Sequence, residues 1–399
     1  MKMQKICLLI GMIAMAGSTV FAEETETPAA AEAAAEAAAE TAGTAAVLSD
    51  DWKDYQIQID DQVYQFPMMF SDFTALGWTS TDEEYPVLEP NQYDMLYFTK
   101  DDVQCTVYVI NLGMNNESAE NCIVGGMAID SFDWDVSVGT VTLPGGIVRG
   151  QADAAAIEAA YGTPSDTYEG DLYTSLTYET DSYSSIELSV DAESGVLSDI
   201  DIRNFVEPEG CDAGEVSTEV PEAVTAYTKP DSLGDSFDEY RIALDGELYT
   251  LPVPVSVLIA DGWEIDEAET DPEIAANYFG WVTLRKGGQE IRETIVNSED
   301  YATIPENCWL ESLTVGGFTL DAEGEIPCGI KTGMPEADMI QALDAAGVTY
   351  TSETSGDFAY YTINEQSFDK CYELIVYKGD DGHFEKDTVM EVTCSNAFE

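Results

Sequence analysis

Residues 66–78, FPMMFSDFTALGW, reappear without a gap 185 positions later as residues 251–263, LPVPVSVLIADGW. The two stretches share a Pro at the second position, a Ser at the sixth and a final Gly-Trp pair. Repetition at so long a spacing indicates two copies of a whole domain rather than a solenoid. Further blocks recur in the same order: 100–111 with 286–297, Glu120-Asn121-Cys122 with Glu306-Asn307-Cys308, and 143–147 with 326–330.

The hydrophobic pattern within each copy is mostly that of short strands. Residues 55–59 and 240–244 alternate polar and apolar side chains and are followed by an Asp-Asp or Asp-Gly turn. Short helices are predicted at 71–78 and 256–263, capped by Ser71 and Ser256 and ended by Gly. Other strands are predicted at 95–98, 105–112, 122–129, 172–178, 185–191, 198–203, 372–377 and 388–393, and helices at 152–161 and 335–346. The pattern predicts an α+β fold of two homologous domains, each mainly antiparallel β-sheet with a few short helices on one side.

Composition divides the chain into five segments. Residues 1–22 have the charged start, short apolar run and small-residue end of a signal peptide, with an uncleaved anchor helix as the alternative. Residues 23–50 are an Ala/Glu-rich low-complexity spacer, and residues 206–236 are an acidic linker rich in Pro, Gly and Ser. Residues 51–205 and 237–399 are then repeat 1 and repeat 2, each long enough for its own core. No later segment is apolar enough to span a membrane, so we expect a secreted, extracellular protein, either free or loosely associated with the cell envelope.

The chain is strongly acidic, with 15 Lys and Arg residues against 78 Asp and Glu residues and a net charge of −63. This charge disfavours nucleic acid and anionic lipid as partners. Its simplest meaning is solubility. Diffuse binding of divalent cations is the alternative, although no Asp-x-Asp-x-Asp-Gly loop occurs. We expect no cofactor and no metal site, because His383 is the only histidine and no Cys-x-x-Cys pair occurs.

Seven cysteines remain after the predicted cleavage, and in an exported chain most of them are expected to form disulfides. Cys122 and Cys308 are equivalent, whereas Cys105 occurs only in repeat 1 and Cys328 only in repeat 2. We therefore predict that Cys105 pairs with Cys122 and that Cys308 pairs with Cys328. One hairpin register of residues 372–377 with 388–393 places Cys371 opposite Cys394, which predicts a third disulfide. Cys211 is left unpaired in the linker, as a free thiol or an intermolecular link.

The run GQADAAAIEAAYGTP at residues 150–164 resembles the Gly-Met-Thr-x-x-x-Val-x-x-x-Leu-Gly-x-Pro segment of the SmpA/OmlA (BamE-like) lipoproteins. Similar segments occur in the β-lactamase-inhibitor-protein fold. Repeat 2 has Gly333-Met334-Pro335 but lacks the Gly-x-Pro ending. The resemblance covers the C-terminal part of each copy and implies a helical hairpin before a small antiparallel sheet that binds other proteins. The front half of each copy, with its Leu-Pro and Gly-Trp pairs, resembles tandem repeats in exported proteins of Gram-positive gut bacteria.

Catalytic motifs do not stand out. Ser–His or Cys–His catalysis would depend on His383, which lies in a Gly-rich turn of one copy only and is better explained as an exposed loop residue. A pair of carboxylates could cleave glycosides, but the acidic residues are too many for a pair to be chosen. Neither a Gly-x-Gly-x-x-Gly fingerprint nor a P-loop occurs.

Tyrosines are the remaining candidates for ligand binding: Tyr173 and Tyr178 in one late strand, and Tyr360 and Tyr361 in its counterpart. Because side chains alternate along a strand, Tyr173 and Tyr178 cannot share a face, and at least one tyrosine in each strand should point outward. An outward tyrosine can reflect β-propensity alone. The alternative is an aromatic contact surface for protein or glycan. The tryptophans of the two Gly-Trp pairs are expected to be core anchors, because both copies keep them.

The duplication, the spacer, the cysteines and the missing catalytic set together favour an exported, non-enzymatic binding protein. Its partner would be a protein or a glycan at the cell surface. Two tethered copies would raise the effective concentration for a multivalent target. An envelope-associated hydrolase that uses acidic residues, or a structural accessory of a surface complex, are the alternatives.

Overall fold

The computed structural model describes residues 47–399 except Glu83, Asp102, 209–213, Thr319, Phe368, Asp381, His383 and Glu399. The predicted signal peptide, all but the last residues of the predicted spacer, and the predictions for Cys211 and His383 lie outside the described residues. Every pairing between strands of the described chain is antiparallel, and the helices are few and short. The predicted fold class, mainly antiparallel β-sheet with a few short helices, is therefore confirmed.

Fifteen strands and two α-helices form the N-terminal region, residues 51–205. The strands are β1 Gln56–Ile59, β2 Gln62–Gln65, β3 Met68–Met69, β4 Thr79–Ser80, β5 Val87–Leu88, β6 Tyr93–Lys100, β7 Val103–Ile110, β8 Glu117–Ser118, β9 Ile123–Ile129, β10 Val141–Leu143, β11 Ile147–Val148, β12 Asp166–Glu169, β13 Tyr173–Asp181, β14 Ser184–Asp191 and β15 Leu197–Asn204. The helices are α1 Phe70–Ala75 and α2 Ala154–Tyr161. A nine-stranded sheet runs in the order β12-β13-β14-β15-β9-β7-β6-β4, with β3 also paired to β9, and a four-stranded sheet runs β11-β10-β1-β2.

The C-terminal region, residues 237–399, contains the same kinds of element in a similar order. Its strands are β16 Arg241–Leu244, β17 Glu247–Thr250, β18 Val253–Pro254, β19 Glu264–Ile265, β20 Phe279–Lys286, β21 Gln289–Val296, β22 Trp309–Leu310, β23 Ser312–Gly316, β24 Gly324–Ile326, β25 Ile330–Lys331, β26 Tyr350–Ser355, β27 Phe358–Ser367, β28 Lys370–Tyr377 and β29 Thr388–Asn396. The segment before it holds helix α3 Glu222–Ala226, and the region itself holds α4 Val255–Ala260 and α5 Glu336–Ala346. Its sheets run β17-β16-β24-β25, β18-β22-β21-β20-β19 and β23-β29-β28-β27-β26.

The helix of each quoted stretch begins one residue earlier than predicted. Met69 and Pro254 hold the N-cap positions without a side-chain hydrogen bond, so the predicted serine caps are wrong. The first helical N–H donates instead to a distant carbonyl: Phe70 to Cys122, and Val255 to Cys308. A backbone acceptor supplied by tertiary packing therefore does the work that a local cap would otherwise do.

The predicted Gly stop is present in both quoted stretches. Gly77 and Gly262 each have φ +94°, which only glycine adopts without strain. The tryptophans that follow them, Trp78 and Trp263, are each only 2% exposed, which confirms the prediction of core anchors. A lysine ammonium lies over each indole ring, Lys100 at 5.9 Å and Lys286 at 5.8 Å from the ring centroid.

Each region has its own hydrophobic core. One cluster of buried residues lies between Tyr55 and Ile202, and a second lies between Phe237 and Cys394. The chain from Leu48 to Glu399 nevertheless forms one compact unit.

The end of the predicted linker is part of the folded unit. Val224 of α3 is buried, and the Tyr227 hydroxyl donates to the Thr250 carbonyl oxygen at 3.1 Å. Lys229 forms ion pairs with Asp261 at 2.8 Å and with Glu247 at 2.6 Å. Residues 217–229 therefore pack on the C-terminal region and extend it towards the N-terminus.

No disulfide joins the cysteines of the described residues. Three of the thiols donate hydrogen bonds to backbone carbonyls: Cys122 to Ser118, Cys308 to Ile304, and Cys328 to Asp235. The predicted pair Cys308 with Cys328 is therefore replaced by two separate hydrogen bonds to the backbone.

The register of β7 with β9 corrects the predicted pair Cys105 with Cys122. Ile110 pairs with Ile123, so Cys122 lies near the opposite end of β7 from Cys105. Six residues of strand separate Cys105 from the position opposite Cys122, about 20 Å at about 3.3 Å per residue. A disulfide requires Cα atoms within about 7 Å.

A β-bulge corrects the predicted pair Cys371 with Cys394. Tyr377 pairs with Thr388 as predicted, but the register shifts between Ile375 and Val376. Beyond the bulge Cys394 is opposite Tyr372, and Cys371 is opposite Ser395. Neighbouring residues of a strand face opposite sides, so the two cysteines lie on opposite faces of the sheet.

Candidate binding surface

The four predicted tyrosines divide into two exposed and two buried residues. Tyr173 is 41% exposed and Tyr360 is 39% exposed, whereas Tyr178 and Tyr361 are buried. The Tyr178 hydroxyl donates to the Gly162 carbonyl oxygen, and the Tyr361 hydroxyl donates to the Glu336 carboxylate. Tyr178 and Tyr361 are therefore packed in the core, and only Tyr173 and Tyr360 of the four present their rings at the surface.

The two exposed tyrosines do not form a matched pair. Tyr173 is the first residue of β13 and pairs with Asp191. Tyr360 lies in β27 and pairs with Ile375 in the middle of β28. Tyr173 contacts Tyr168 of the edge strand, with ring centroids 5.6 Å apart. These contacts give no surface that the two regions share.

A row of exposed apolar side chains runs along the outer face of β6. Tyr93, Met95 and Tyr97 are 47–53% exposed, while Leu96 and Phe98 between and after them are buried in the core. The alternation follows from the strand period of two, which puts every second side chain on the same face. We name Tyr93, Met95 and Tyr97 the N-terminal stripe.

A matching row lies at the start of β20. Phe279 and Trp281 are 43% and 46% exposed, and they stand 186 residues after Tyr93 and Met95. Tyr278 precedes them and stacks on Phe279, with ring centroids 4.9 Å apart and an interplanar angle of 15°. We name Tyr278, Phe279 and Trp281 the C-terminal stripe. The position equivalent to Tyr97 is Thr283, which is buried.

Aromatic packing supports the start of the N-terminal stripe. The Tyr93 ring lies 5.1 Å from the Phe205 ring and 6.2 Å from the Tyr108 ring. The Arg203 guanidinium lies 4.6 Å from the centre of the Tyr108 ring and forms an ion pair with Asp201 at 2.9 Å. Burial, followed by the charge of Asp201, raises the pKa of Tyr108, so its hydroxyl stays protonated and donates to the Asp201 carboxylate.

Two loops join the regions beside the stripes. The Asn116 amide group and backbone N–H both donate to Asp300, and the Ala302 N–H donates to the Asn115 side-chain oxygen at 2.7 Å. The Ala276 N–H donates to the Met114 carbonyl oxygen at 2.9 Å. These contacts define the junction between the two regions.

Both stripes begin at the strand end that leads to the junction. Tyr93 pairs with Ile110, the last residue of β7 before the loop that contains Asn115. Phe279 pairs with Val296, the last residue of β21 before the loop that contains Asp300. The aromatic surfaces of the two regions are therefore positioned by the same loop pair.

The chain around the junction is acidic. The five segments that meet or border it, residues 88–93, 111–118, 214–219, 274–281 and 297–303, contain no Lys or Arg. They contain six acidic residues, namely Glu89, Glu117, Glu215, Glu219, Glu299 and Asp300. Burial raises the pKa of Tyr301, and the negative charges of Glu299 and Glu219 raise it further. The junction thus shares the general negative charge of the chain and contains no Lys or Arg in these segments.

The acidic residues that line one cavity of the C-terminal region are close to arginines. A cavity of about 260 Å³ is lined in part by Glu264, Glu290 and Arg285. Glu290 forms ion pairs with Arg285 at 2.9 Å and with Arg292 at 2.5 Å. An acid that two arginines neutralise is typical of a structural charge network, and the cavity gives no support to the hydrolase alternative.

One acid is set apart by burial. Glu293 occupies an inward-facing position of β21, opposite Val282 and between Ile291 and Ile295. Burial raises the pKa of its carboxyl to about 7, and a hydrogen bond with the backbone of Thr314 partly offsets this shift. Glu293 spans the gap between β21 and β23, which suits a role in sheet structure.

Sequence reasoning missed both stripes, although the sequence contains a signal for them. Tyr93 and Met95 stand two residues apart, as do Phe279 and Trp281, and the two pairs are related by the constant offset of 186. Large apolar side chains on both faces of a strand in both copies indicate that one face is covered by something other than solvent.

No protein-family model matches this chain, and comparison with curated proteins and with solved structures gave no match. The resemblances to SmpA/OmlA lipoproteins and to repeats of exported proteins therefore stay predictions. Among the described residues, none of the helices has the length and hydropathy needed to cross a bilayer.

Proposed function

We propose that this chain is an exported, non-enzymatic binding protein whose two regions are homologous domains that present equivalent aromatic stripes to one surface partner. The observation that carries the proposal is the pair of exposed rows at the same strand position, Tyr93 and Met95 in β6 and Phe279 and Trp281 in β20. Contiguous exposed apolar side chains mark contact surfaces, whereas apolar side chains that are exposed singly are normal on any protein surface.

Duplication supports the proposal. Residues that only stabilise the fold, such as Trp78 and Trp263, are buried in both regions. The stripes are also present in both regions, but they are exposed, so core packing does not explain them. A role at the surface that both copies perform does explain them.

The shared junction adds a reason for two copies. Because the loops of Asn115 and Asp300 join the regions, a partner that engages one stripe holds the other at high effective concentration. The partner is a protein or a glycan of the cell surface. The compartment follows from the predicted signal peptide, and the proposal includes it.

The test is capture of surface components by the full-length exported chain and by stripe variants. One variant carries Met95→Ala and Tyr97→Ala, a second carries Phe279→Ala and Trp281→Ala, and a third carries all four changes. The control carries Tyr173→Ala and Tyr360→Ala, which removes two other exposed rings. We expect either stripe variant to weaken capture and the combined variant to abolish it, while the control captures as the wild type does.

Retention of every captured component by the combined variant would contradict the proposal, provided that its circular dichroism and melting curve match those of the wild type. Equal loss in the control variant would show that exposed tyrosines in general, and not the stripes, make the contact.

A further inference from the structure

We infer that the surface made by the two stripes and the acidic junction binds a basic polypeptide segment, with its apolar side chains on the stripes and its Lys or Arg side chains against the junction acids. This inference rests on the proposed function and names the chemical class of the partner. The occupant is a polypeptide because the surface combines apolar anchors with negative charge.

The stripes provide the anchors. Aromatic side chains bury a large area at a low cost in side-chain entropy, and Trp and Tyr dominate the binding energy of many protein interfaces. Three alternating positions of a strand extend about 13 Å, which matches a short extended peptide segment. Both stripes present aromatic rings at the surface. In the C-terminal stripe these are Trp281 and the stacked pair Phe279 and Tyr278, and in the N-terminal stripe they are Tyr93 and Tyr97.

The junction provides the charge complementarity. The junction segments contain six acids and no Lys or Arg. Arg203, the cation beside the N-terminal stripe, is already paired with Asp201. A cationic segment would gain long-range attraction to these acids on approach and on contact, whereas a neutral glycan would gain no long-range attraction.

The protein itself contains the proposed type of contact. Lys100 lies over Trp78, Lys229 lies 5.0 Å from the Tyr249 ring centroid, and Arg203 lies over Tyr108. Lys229 also pairs with Asp261, so one cation meets a ring and a carboxylate together. The stripes and junction acids offer the same two kinds of group to a cation from outside.

The experiment measures binding of defined probes to the full-length exported chain by calorimetry. The probes are a peptide of four Lys-Lys-Phe repeats, a peptide of twelve lysines, and the hexasaccharide of N-acetylglucosamine. We expect the Phe-containing peptide to bind about tenfold tighter than the lysine peptide, and its affinity to fall as salt rises.

Two variants separate the contributions without confusing them with general charge. The change Phe279→Ala with Trp281→Ala leaves the net charge unaltered, so it should reduce binding of the Phe-containing peptide about tenfold and leave the lysine peptide unaffected. The change Glu219→Gln with Glu299→Gln should weaken both peptides more than Glu193→Gln with Glu353→Gln, a control of equal charge at exposed sites outside the junction.

The outcomes distinguish this inference from the proposed function. Equal binding of the two peptides, or equal effects of the two pairs of Glu→Gln changes, would overturn the inference. If the stripe change abolishes binding of the hexasaccharide and spares both peptides, the partner is a glycan, so the inference fails and the proposed function stands. If the stripe change affects none of the three probes, the inference fails, and the capture experiment alone decides the proposed function.

Discussion

The nine-stranded sheet of the N-terminal region corresponds to two separate five-stranded sheets in the C-terminal region. In the N-terminal region β9 is continuous and pairs with β7 on one side and β15 on the other. In the C-terminal region the matching strand is divided into β22, which pairs with β21, and β23, which pairs with β29. A similar order of elements therefore yields a different sheet.

Two acidic residues mark the place where the sheet divides. Glu311 lies between β22 and β23, 186 residues after Gly125 of β9, and its carboxylate accepts from the Phe398 N–H. Glu293 replaces Val107, which is fully buried in the N-terminal core. A carboxyl group at an inward-facing position needs a hydrogen-bond partner. The backbone of Thr314 in β23 is that partner, and it can reach the carboxyl only if β21 and β23 are not paired along their whole length. The comparison teaches that sheet continuity depends on a few positions, while the order of elements does not.

The largest expected effect comes from adding one methyl group to the continuous strand. A Cβ atom at Gly126 would lie 2.0 Å from the Ile202 carbonyl oxygen, a backbone atom that cannot move aside cheaply. We expect Gly126→Ala to lower the free energy of unfolding by at least about 3 kcal/mol. Denaturant unfolding followed by fluorescence measures the change.

The matched change in the other region is Ser312→Ala, at the equivalent position of β23. Ser312 already carries a Cβ atom, and its hydroxyl only shares a hydrogen bond with the Ser395 hydroxyl at 3.0 Å. Its loss should cost about 1 kcal/mol. Equal losses at the two positions would show that the two strands are packed equally tightly.

The next largest effect is a change in the free energy of unfolding with pH, and it is caused by Glu293. Because the folded pKa of about 7 lies above the ordinary value of 4.5, folding favours the protonated carboxyl. This contribution to stability is present in full below about pH 4.5 and is lost as the pH rises through about 7. The wild type should therefore lose about 3 kcal/mol relative to Glu293→Gln between these limits.

Unfolding at a series of pH values measures that difference between wild type and variant, which cancels the titration of the other acids. Glu353→Gln, on the exposed edge strand β26, is the control for removal of one carboxylate from the surface. A difference for Glu293→Gln that does not vary with pH would show that the Glu293 carboxyl is solvated.

A smaller effect is expected at the junction that connects the compared regions. Asn115→Ala removes the acceptor of the Ala302 N–H and a donor to the Glu215 carbonyl oxygen. We expect a loss of about 1–2 kcal/mol and a broader unfolding transition, because the regions unfold less cooperatively. Asn121→Ala, which removes one exposed hydrogen bond to Glu117, should change the stability by less than about 0.5 kcal/mol. Identical results for the two variants would contradict a stabilising junction.

The smallest effect is a difference in the alkylation rate of two cysteines, without any change in stability. Cys328 is half-buried, whereas Cys308 is fully buried and its pKa is raised to about 12 by burial and by Glu306. Iodoacetamide added without reductant should therefore modify Cys328 much faster than Cys308, with no change in melting temperature. Mass mapping of the modified peptides measures this. If both cysteines are protected until a reductant is added, the disulfide predicted from the sequence exists.

Much of the local structure was predictable because it is encoded by short-range patterns. Alternation located β1 and β16, and Gly77 and Gly262 marked the ends of their helices. Alternation also implied that one tyrosine of each late strand points outward, as Tyr173 and Tyr360 do. The edge strands β12 and β26 were missed, since their mostly polar residues carry no hydrophobic period.

The errors share one cause, which is that they depend on contacts between segments that are remote in sequence. The serine caps were wrong because Cys122 and Cys308 supply carbonyls from elsewhere in the fold. The pairing of Cys371 with Cys394 was wrong because one bulge changes the register, and a shift of one residue moves a side chain to the other face.

The sequence by itself determined that the chain contains recurring segments, is acidic and is rich in short antiparallel strands, because repeats, charge and strand period are properties of residues near one another or at a constant spacing. Only the tertiary structure decided that the exposed aromatic side chains lie on β6 and β20 beside one junction, and that one sheet is continuous where the other is divided. The physical reason is that exposure and strand pairing depend on which surfaces the rest of the chain covers. Residues such as Glu293 and Gly126 acquire their effect only from atoms that are remote in sequence.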